Sequence, residues 1–223
     1  MSDSRTLVDW DIVAYYAKRI EEYDLVYKKP ERQSDLSILK TMVIDSFIGS
    51  DVLEIACGTG FWTSCIAEKA SSILATDYNS EMLQKAASRE YGTCTLDFQS
   101  ANAFELNRLS RDFSAGFCGF FWSHVPRHKR NAFIKSFHSR LRDKSIVVII
   151  DNIYVKGSST PVSRMDNDGN TYQIRNLADG SVHEVLKNFP TEFELRDVLT
   201  KYSYSIEYIP LQYYWFLRYT VSK

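Results

Sequence analysis

Val52-Leu53-Glu54-Ile55-Ala56-Cys57-Gly58-Thr59-Gly60 decides the fold of this chain. Val52 to Ile55 is a short, almost continuous apolar run, the pattern of a strand covered on both faces. Gly58 and Gly60 follow it. Without a Cβ they let the backbone turn sharply and come close to a ligand. From Phe61 the pattern turns helical. A strand, a glycine turn and a helix N-terminus, in that order, make a nucleotide-type site at the carboxyl end of a parallel sheet.

A dinucleotide fingerprint needs a third glycine three residues after the second. Thr63 stands there, and Glu54 inside the strand is foreign to that fingerprint. An acid, two residues and then Cys-Gly-Thr-Gly instead resembles the first motif of class I S-adenosylmethionine (SAM) methyltransferases. The resemblance implies that Ala56, Gly58, Thr59 and Gly60 run beside the methionine part of SAM. Glu54 would support that loop and the ligand's charged end.

Ile73-Leu74-Ala75-Thr76-Asp77 reads as a second strand that ends in an acid, seventeen residues beyond Gly60. A carboxylate there can accept two hydrogen bonds from ribose hydroxyls. Asn79 then caps a helix start. The resemblance implies that Asp77 and Tyr78 hold the ribose and that Met82 packs on the adenine. Asn102 and Ala103 would meet the adenine edge, and Phe121 would complete the cofactor wall.

Strand-like and helix-like segments alternate from 50 to 150, which predicts a doubly wound parallel sheet. The third strand ends in the segment from Phe98 to Phe104. The fourth is read over 113–121 and the fifth over 145–151, with a helix over 126–141 between them. Two helical stretches precede the sheet, one carrying Val8, Ile12, Tyr15, Tyr16, Ile20, Tyr23, Val26 and Tyr27 at helical spacing, one starting at Pro30-Glu31. A hairpin is read around Ala178-Asp179-Gly180, a helix over 192–200, and two final strands over 206–210 and 214–221. The expectation is one α/β domain over 1–223. It is a Rossmann-like, doubly wound, seven-stranded sheet, mostly parallel with an antiparallel last strand. Residues 1–48 would form a helical lid, and 152–190 a substrate-side insertion with the hairpin.

A formal net charge of −1 gives no global pull toward nucleic acid. Cys57, Cys65, Cys94 and Cys118 contain no Cys-x-x-Cys pair and sit in apolar segments, as reduced cysteines of a cytoplasmic protein do. Met1 to Val8 lacks the apolar region of a signal peptide. No apolar run reaches the length of a membrane span.

Methyl transfer from SAM is an in-line displacement, so an enzyme mainly orients the acceptor and excludes water. Phe121-Trp122-Ser123-His124-Val125-Pro126 follows the fourth strand, the end that faces the methyl group in the family. His124 is therefore read as base or substrate ligand, against a plain capping role. Trp122 is either pocket wall or core. Tyr16 and Tyr23 would close the lid over SAM with Tyr27 nearer the acceptor, unless the tyrosines form only a packing stripe. Lys187, a His-Val-Pro after the fourth strand and the Asp-Gly hairpin together resemble a small-molecule phosphonate O-methyltransferase of antibiotic biosynthesis. An inward Lys187, with Arg164 or Arg175, would bind an anionic acceptor. A solvated Lys187 would not.

Asp166-x-Asp168-x-Asn170 imitates a calcium loop but lacks its glycine and distant glutamate. Asp151-Asn152 resembles two metal ligands of catechol-type O-methyltransferases, whose third ligand is missing here, so no metal is expected. Arg127-His128-Lys129-Arg130 reads as a solvated helix face. The leading expectation is methyl transfer from SAM to a small molecule. The alternatives are an RNA or protein methyltransferase, disfavoured by the charge balance and by Gly119-Phe120-Phe121-Trp122 in place of Asn/Asp-Pro-Pro-Tyr, a SAM-binding module without catalysis, and a nicotinamide oxidoreductase. The acceptor atom and the oligomeric state stay open.

Overall fold

A computed structural model describes residues 10–223; the reading of Met1 to Val8 lies outside them. The chain runs α1 (Trp10–Lys18), tight 3-10 turns over Ile20–Lys28 and Pro30–Arg32, and α2 (Gln33–Ser46). The alternating part follows as β1 (Asp51–Ile55), α3 (Phe61–Ala67), β2 (Ser72–Asp77), α4 (Ser80–Ala87), β3 (Thr95–Ser100), β4 (Phe113–Gly119), α5 (Arg130–His138) and β5 (Leu141–Asn152). Then come β6 (Arg164–Met165), β7 (Thr171–Asn176), β8 (Val182–Leu186), α6 (Glu192–Leu199), β9 (Ser203–Pro210) and β10 (Tyr214–Val221).

Seven strands form one sheet in the order β3-β2-β1-β4-β5-β10-β9. β1 pairs in parallel with β2 and β4, while β10 lies antiparallel between β5 and β9. The expected Rossmann-like sheet with an antiparallel last strand is present. Its order reverses beside β1, the switch point where open α/β sheets bind ligands. Alternation along β1 sends Leu53 and Ile55 into the core under α5 and α6, and Val52 into the core under α2 and α3. Both faces are covered, which is why this strand tolerates an apolar run.

Caps fix the helices where the sequence supplies them. The Asn79 side chain accepts from Glu81 and Met82 backbone N–H groups at the start of α4. Thr191 and Glu194 form a capping box on α6. Besides shifts of a few residues at other ends, such as β4 closing at Gly119 rather than Phe121, three features differ from the sequence reading. The N-terminal tyrosine stripe is not one helix, since α1 ends at Lys18 and 3-10 turns carry Tyr23 and Tyr27. Leu141 opens β5 rather than closing the preceding helix, whose α-helical part is only Arg130–His138. β6 joins the expected hairpin of β7 and β8 as a third antiparallel strand. A two-residue strand carries too little pattern to be read in advance.

Candidate active site

Two chambers open at the carboxyl ends of the parallel strands. The first is walled by the segments that follow four of them: Ile55 and Ala56, Asp77 to Asn79, Ala101 to Phe104, and Gly119 to Phe121. Its cavity volume is about 150 Å³. The second lies under α1, the 20–28 turns and the β7–β8 hairpin. Tyr16, Tyr23, Phe120 and His124 line both chambers and form the partition between them.

Asp77 organises the first chamber. Its Oδ2 accepts from the Gly58 N–H and its Oδ1 from the Asn79 N–H, each at 2.9 Å. Burial pushes this carboxyl up, while the backbone N–H groups of Asn79, Gly58 and Tyr78 pull against it. Gly58 sits at φ +56°, and a Cβ there would lie 3.5 Å from the Tyr23 ring. Tyr23 therefore rests directly on the glycine turn. Ala56 and Phe120, the residues just past Ile55 of β1 and Gly119 of β4, also have positive φ (53° and 60°) without being glycine. Such strained backbone gathers where a site over-determines it.

Of the residues expected around SAM, Tyr16, Tyr23, Ala56, Gly58, Asp77, Tyr78, Met82, Asn102, Ala103 and Phe121 line this chamber. Glu54, Thr59 and Gly60 do not. Glu54 is 1 % exposed behind the loop, and its Oε2 has no hydrogen-bond partner among the described residues. Burial pushes its carboxyl up to about 8, with a smaller push from Asp77 and a pull from Thr63. Gly60 (φ +80°) faces α4, where a Cβ would strike the Tyr91 hydroxyl. Thr59 is turned to the 20–28 turns: its hydroxyl donates to Asp24 Oδ1 at 2.6 Å. Arg89 donates to the Thr59 carbonyl and to Asp24. These three residues tie the 20–28 turns to the glycine loop.

His124 bridges the partition. Its Nδ1 lies 2.7 Å from the Leu186 carbonyl, which can only accept, so Nδ1 carries the proton. Its Nε2 is then an acceptor and receives the Tyr16 hydroxyl at 2.8 Å. Burial first, and the Lys187 charge second, lower the imidazole to about 3, so His124 is neutral at physiological pH.

The second chamber is cationic. Arg19, Lys29, Arg32, Arg175 and Lys187 line it, and among the described residues no carboxylate does. Arg175 donates to Thr160 Oγ1 and Gln173 Oε1. Arg32 donates to Ser158 Oγ, and Arg19 to the Tyr15 hydroxyl. Lys187 is 6 % exposed and donates to Ser123 Oγ at 2.6 Å and Asp151 Oδ1 at 3.1 Å. Of the five, only Lys187 has an ion-pair partner among the described residues. Tyr27 belongs to this chamber, stacked on Phe61 at 3.8 Å. Arg164 does not. It forks onto Glu184 and lies over the Tyr172 ring, away from the chamber, so Arg175 is the inward arginine of the hairpin. Trp122 is core.

Sequence reasoning missed Val13, Asn79, Phe104, Phe120 and Lys129 in the first chamber, and Tyr15, Arg19, Lys29, Arg32 and Tyr214 in the second. Arg19, Lys29 and Arg32 look like ordinary surface charges in sequence. Only the packing of α1 and the 3-10 turns brings them to the chamber. Among the described residues no group of three or more His, Cys, Asp or Glu stands close enough to hold a metal ion. Asp166 spends its carboxylate on Asp168, Asn170 and Tyr172 within one turn.

Residues 52–144 match a family model described as a methyltransferase domain. No curated protein matches the sequence. Among solved structures, the chain is similar to DhpI in complex with S-adenosylhomocysteine (SAH), at 24% identity over 96% of each chain with a TM-score of 0.76. A complex of DhpI with SAM and HEP aligns at 23% identity over 98% of this chain and 99% of that one, again with a TM-score of 0.76. SAM-bound CalS10, an amino pentose methyltransferase from Micromonospora echinaspora involved in calicheamicin biosynthesis, aligns at 13% identity over 99% of this chain and 100% of that one, with a TM-score of 0.63. The family match covers residues 52–144, and the chain as a whole has the fold of the SAM-dependent methyltransferases it aligns with.

Proposed function

We propose that this protein transfers the methyl group of SAM to a small anionic molecule held in the second chamber, leaving SAH in the first. One observation carries the reading: five cationic side chains and no carboxylate line the second chamber among the described residues. Arg32 and Lys187 are buried and Arg19, Lys29 and Arg175 half-buried, and such a concentration of positive charge is costly unless an anion completes it.

The first chamber suits SAM. Asp77 offers its carboxylate to the ribose hydroxyls, with Tyr78 beside it. Met82, Ala103 and Phe121 offer apolar faces to the adenine, and Asn102 its polar edge. Ala56 and Gly58 leave room for the methionine part under Tyr16 and Tyr23. Glu54, Thr59 and Gly60 act from behind, by holding the loop. Bound SAM supplies a methyl group on a positively charged sulfur, open to in-line displacement.

The remaining work belongs to the chain. Tyr16, Tyr23 and Phe120 exclude water from the partition where the chambers meet. Lys187 and Arg175 orient the acceptor, and Tyr27 closes over it. Where an oxygen of the anionic group itself takes the methyl, it carries no proton at neutral pH, and no general base is required. His124, neutral and bonded to Tyr16, holds that hydroxyl at the partition. Four unpaired cysteines support a cytoplasmic setting. Among the described residues no helix is long and apolar enough to cross a membrane.

The test is product identification. Protein is incubated with SAM labelled on the methyl group and a metabolite pool split by anion exchange. Label should enter a small molecule in the anionic fraction as SAH accumulates. Label entering neutral metabolites, RNA or protein would overturn the acceptor class. Failure of the purified protein to bind SAH would overturn the reading altogether.

A further inference from the structure

Asp151 closes β5 beside the second chamber and is fully buried, yet neither chamber is lined by it. Its oxygens are all committed. Oδ2 accepts the Ser123 N–H at 2.8 Å. Oδ1 accepts the Asn152 backbone and side-chain N–H groups at 2.8 and 3.0 Å, and Lys187 Nζ at 3.1 Å. Lys187 in turn donates to Ser123 Oγ. An ammonium has three N–H donors. Two are fixed by Asp151 and Ser123, and Lys187 lines the cationic chamber, so the third is free to face it.

We propose that Asp151 is a positioning residue, which aims the Lys187 ammonium at the acceptor while never touching the acceptor itself. The inference rests on the functional reading above and adds to it the group that keeps the lysine in service. Burial, and then Arg175 and Arg19, all act to strip the proton from Lys187, and Asp151 opposes them by its charge and its hydrogen bond. Burial also pushes Asp151 up, but Lys187 and the backbone N–H groups of Ser123 and Asn152 outweigh it and hold it ionised. A carboxylate and an ammonium that each keep the other charged form a rigid pair with one donor to spare. The rigidity has a second source. Asn188 donates its backbone N–H to the Ser123 carbonyl at 2.8 Å, locking the end of β8 to the same turn.

The experiment follows Lys187 by NMR in protein carrying labelled lysine side chains, with Lys187→Gln to assign the signal. Inorganic phosphate serves as the probe anion. In the wild type Lys187 should remain an ammonium through neutral pH, and its signal should move when phosphate is added. In Asp151→Asn it should lose its proton about one pH unit or more lower, and phosphate affinity should fall roughly tenfold or more. A plain structural role would leave that titration unchanged. Equal titration in both proteins, a neutral wild-type Lys187, or no response of Lys187 to phosphate overturns the proposal. If Asp151→Asn does not fold, the wild type still decides. The Asp151 carboxyl carbon should titrate below the usual carboxylate range, and a normal midpoint overturns the pairing. All of this is read without SAH. A separate calorimetric titration with SAH, expected unchanged by Asp151→Asn within about twofold, therefore reports on the methyltransferase reading alone.

Discussion

Replacing Glu54 with glutamine should stabilise this protein at alkaline pH and change little at acid pH. Glu54 is 1 % exposed, its Oε2 is unpartnered among the described residues, and burial lifts its carboxyl from 4.5 to about 8. The unfolded chain gives up this proton near its ordinary value, while the folded chain keeps it. Between the two values the native state binds one more proton than the unfolded state, so stability falls as pH rises. The gap of roughly 3.5 pH units corresponds to about 5 kcal/mol at about 1.36 kcal/mol for each, an upper figure because a buried site relaxes around a charge. The amide of Glu54→Gln has no proton to lose, and Thr63 Oγ1, which lacks a partner among the described residues in the same core, can accept from it. Urea unfolding of the ligand-free protein should give nearly equal stabilities at about pH 5, and an advantage for Glu54→Gln of about 2–5 kcal/mol at about pH 8.5. Taking the difference between the two proteins cancels His138 and His124, which titrate with the opposite sign. Parallel stability curves across that range would refute the assignment of Glu54 as a carboxyl protonated by burial.

Asp77→Asn keeps one acceptor but sets an amide donor against the N–H of Gly58 or Asn79. SAH affinity should fall about 10–100-fold, the loss of one charge-assisted bond, and calorimetry showing less than about a threefold change would count against Asp77 as the ribose acid. Asp24→Asn or Arg89→Met cuts the tie between the 20–28 turns and Thr59. Stopped-flow should show SAH leaving about 5–30-fold faster, for roughly 1–2 kcal/mol of lost lid closure, and unchanged release would mean that the turns are not a lid. His124 should stay neutral from about pH 5 to 8 with its proton on Nδ1, since burial and Lys187 hold it near 3. A nitrogen-15 titration with a midpoint near about 6.5 would restore His124 as a candidate base.

The first chamber was readable because its geometry is local. Gly58, Asp77, Met82 and Asn102 each stand within a few residues of a strand end, and strand period with glycine placement fixes where such ends lie. The parallel order then carries them to one edge of the sheet. The second chamber was readable only in fragments. Lys187 and Tyr27, singled out in the sequence, line it, but Arg164 and Arg175, two arginines of the hairpin region, could not be told apart. Alternate residues of a strand face opposite sides, and the sequence carries no mark of which side is covered. β7 lies between β6 and β8, and its packing under the lid turns Arg175 inward and leaves Arg164 to Glu184. Glu54, Thr59 and Gly60 miss the chamber for a similar reason. The chain enters the turn through the left-handed Ala56, and Thr59 is drawn to Asp24, a residue thirty-five positions earlier.

By itself the sequence determined the doubly wound sheet, the glycine turn and the carboxylate beside it, because hydrophobic period and backbone freedom act over a few residues at a time. Tertiary structure alone decided the charge of the second chamber, the tautomer of His124 and the pairing of Lys187 with Asp151. Each depends on groups far apart in the chain, 36 positions for Lys187 and Asp151 and 62 for His124 and Leu186. Folding brings them into one low-dielectric space, where burial and a single neighbour set the proton's place.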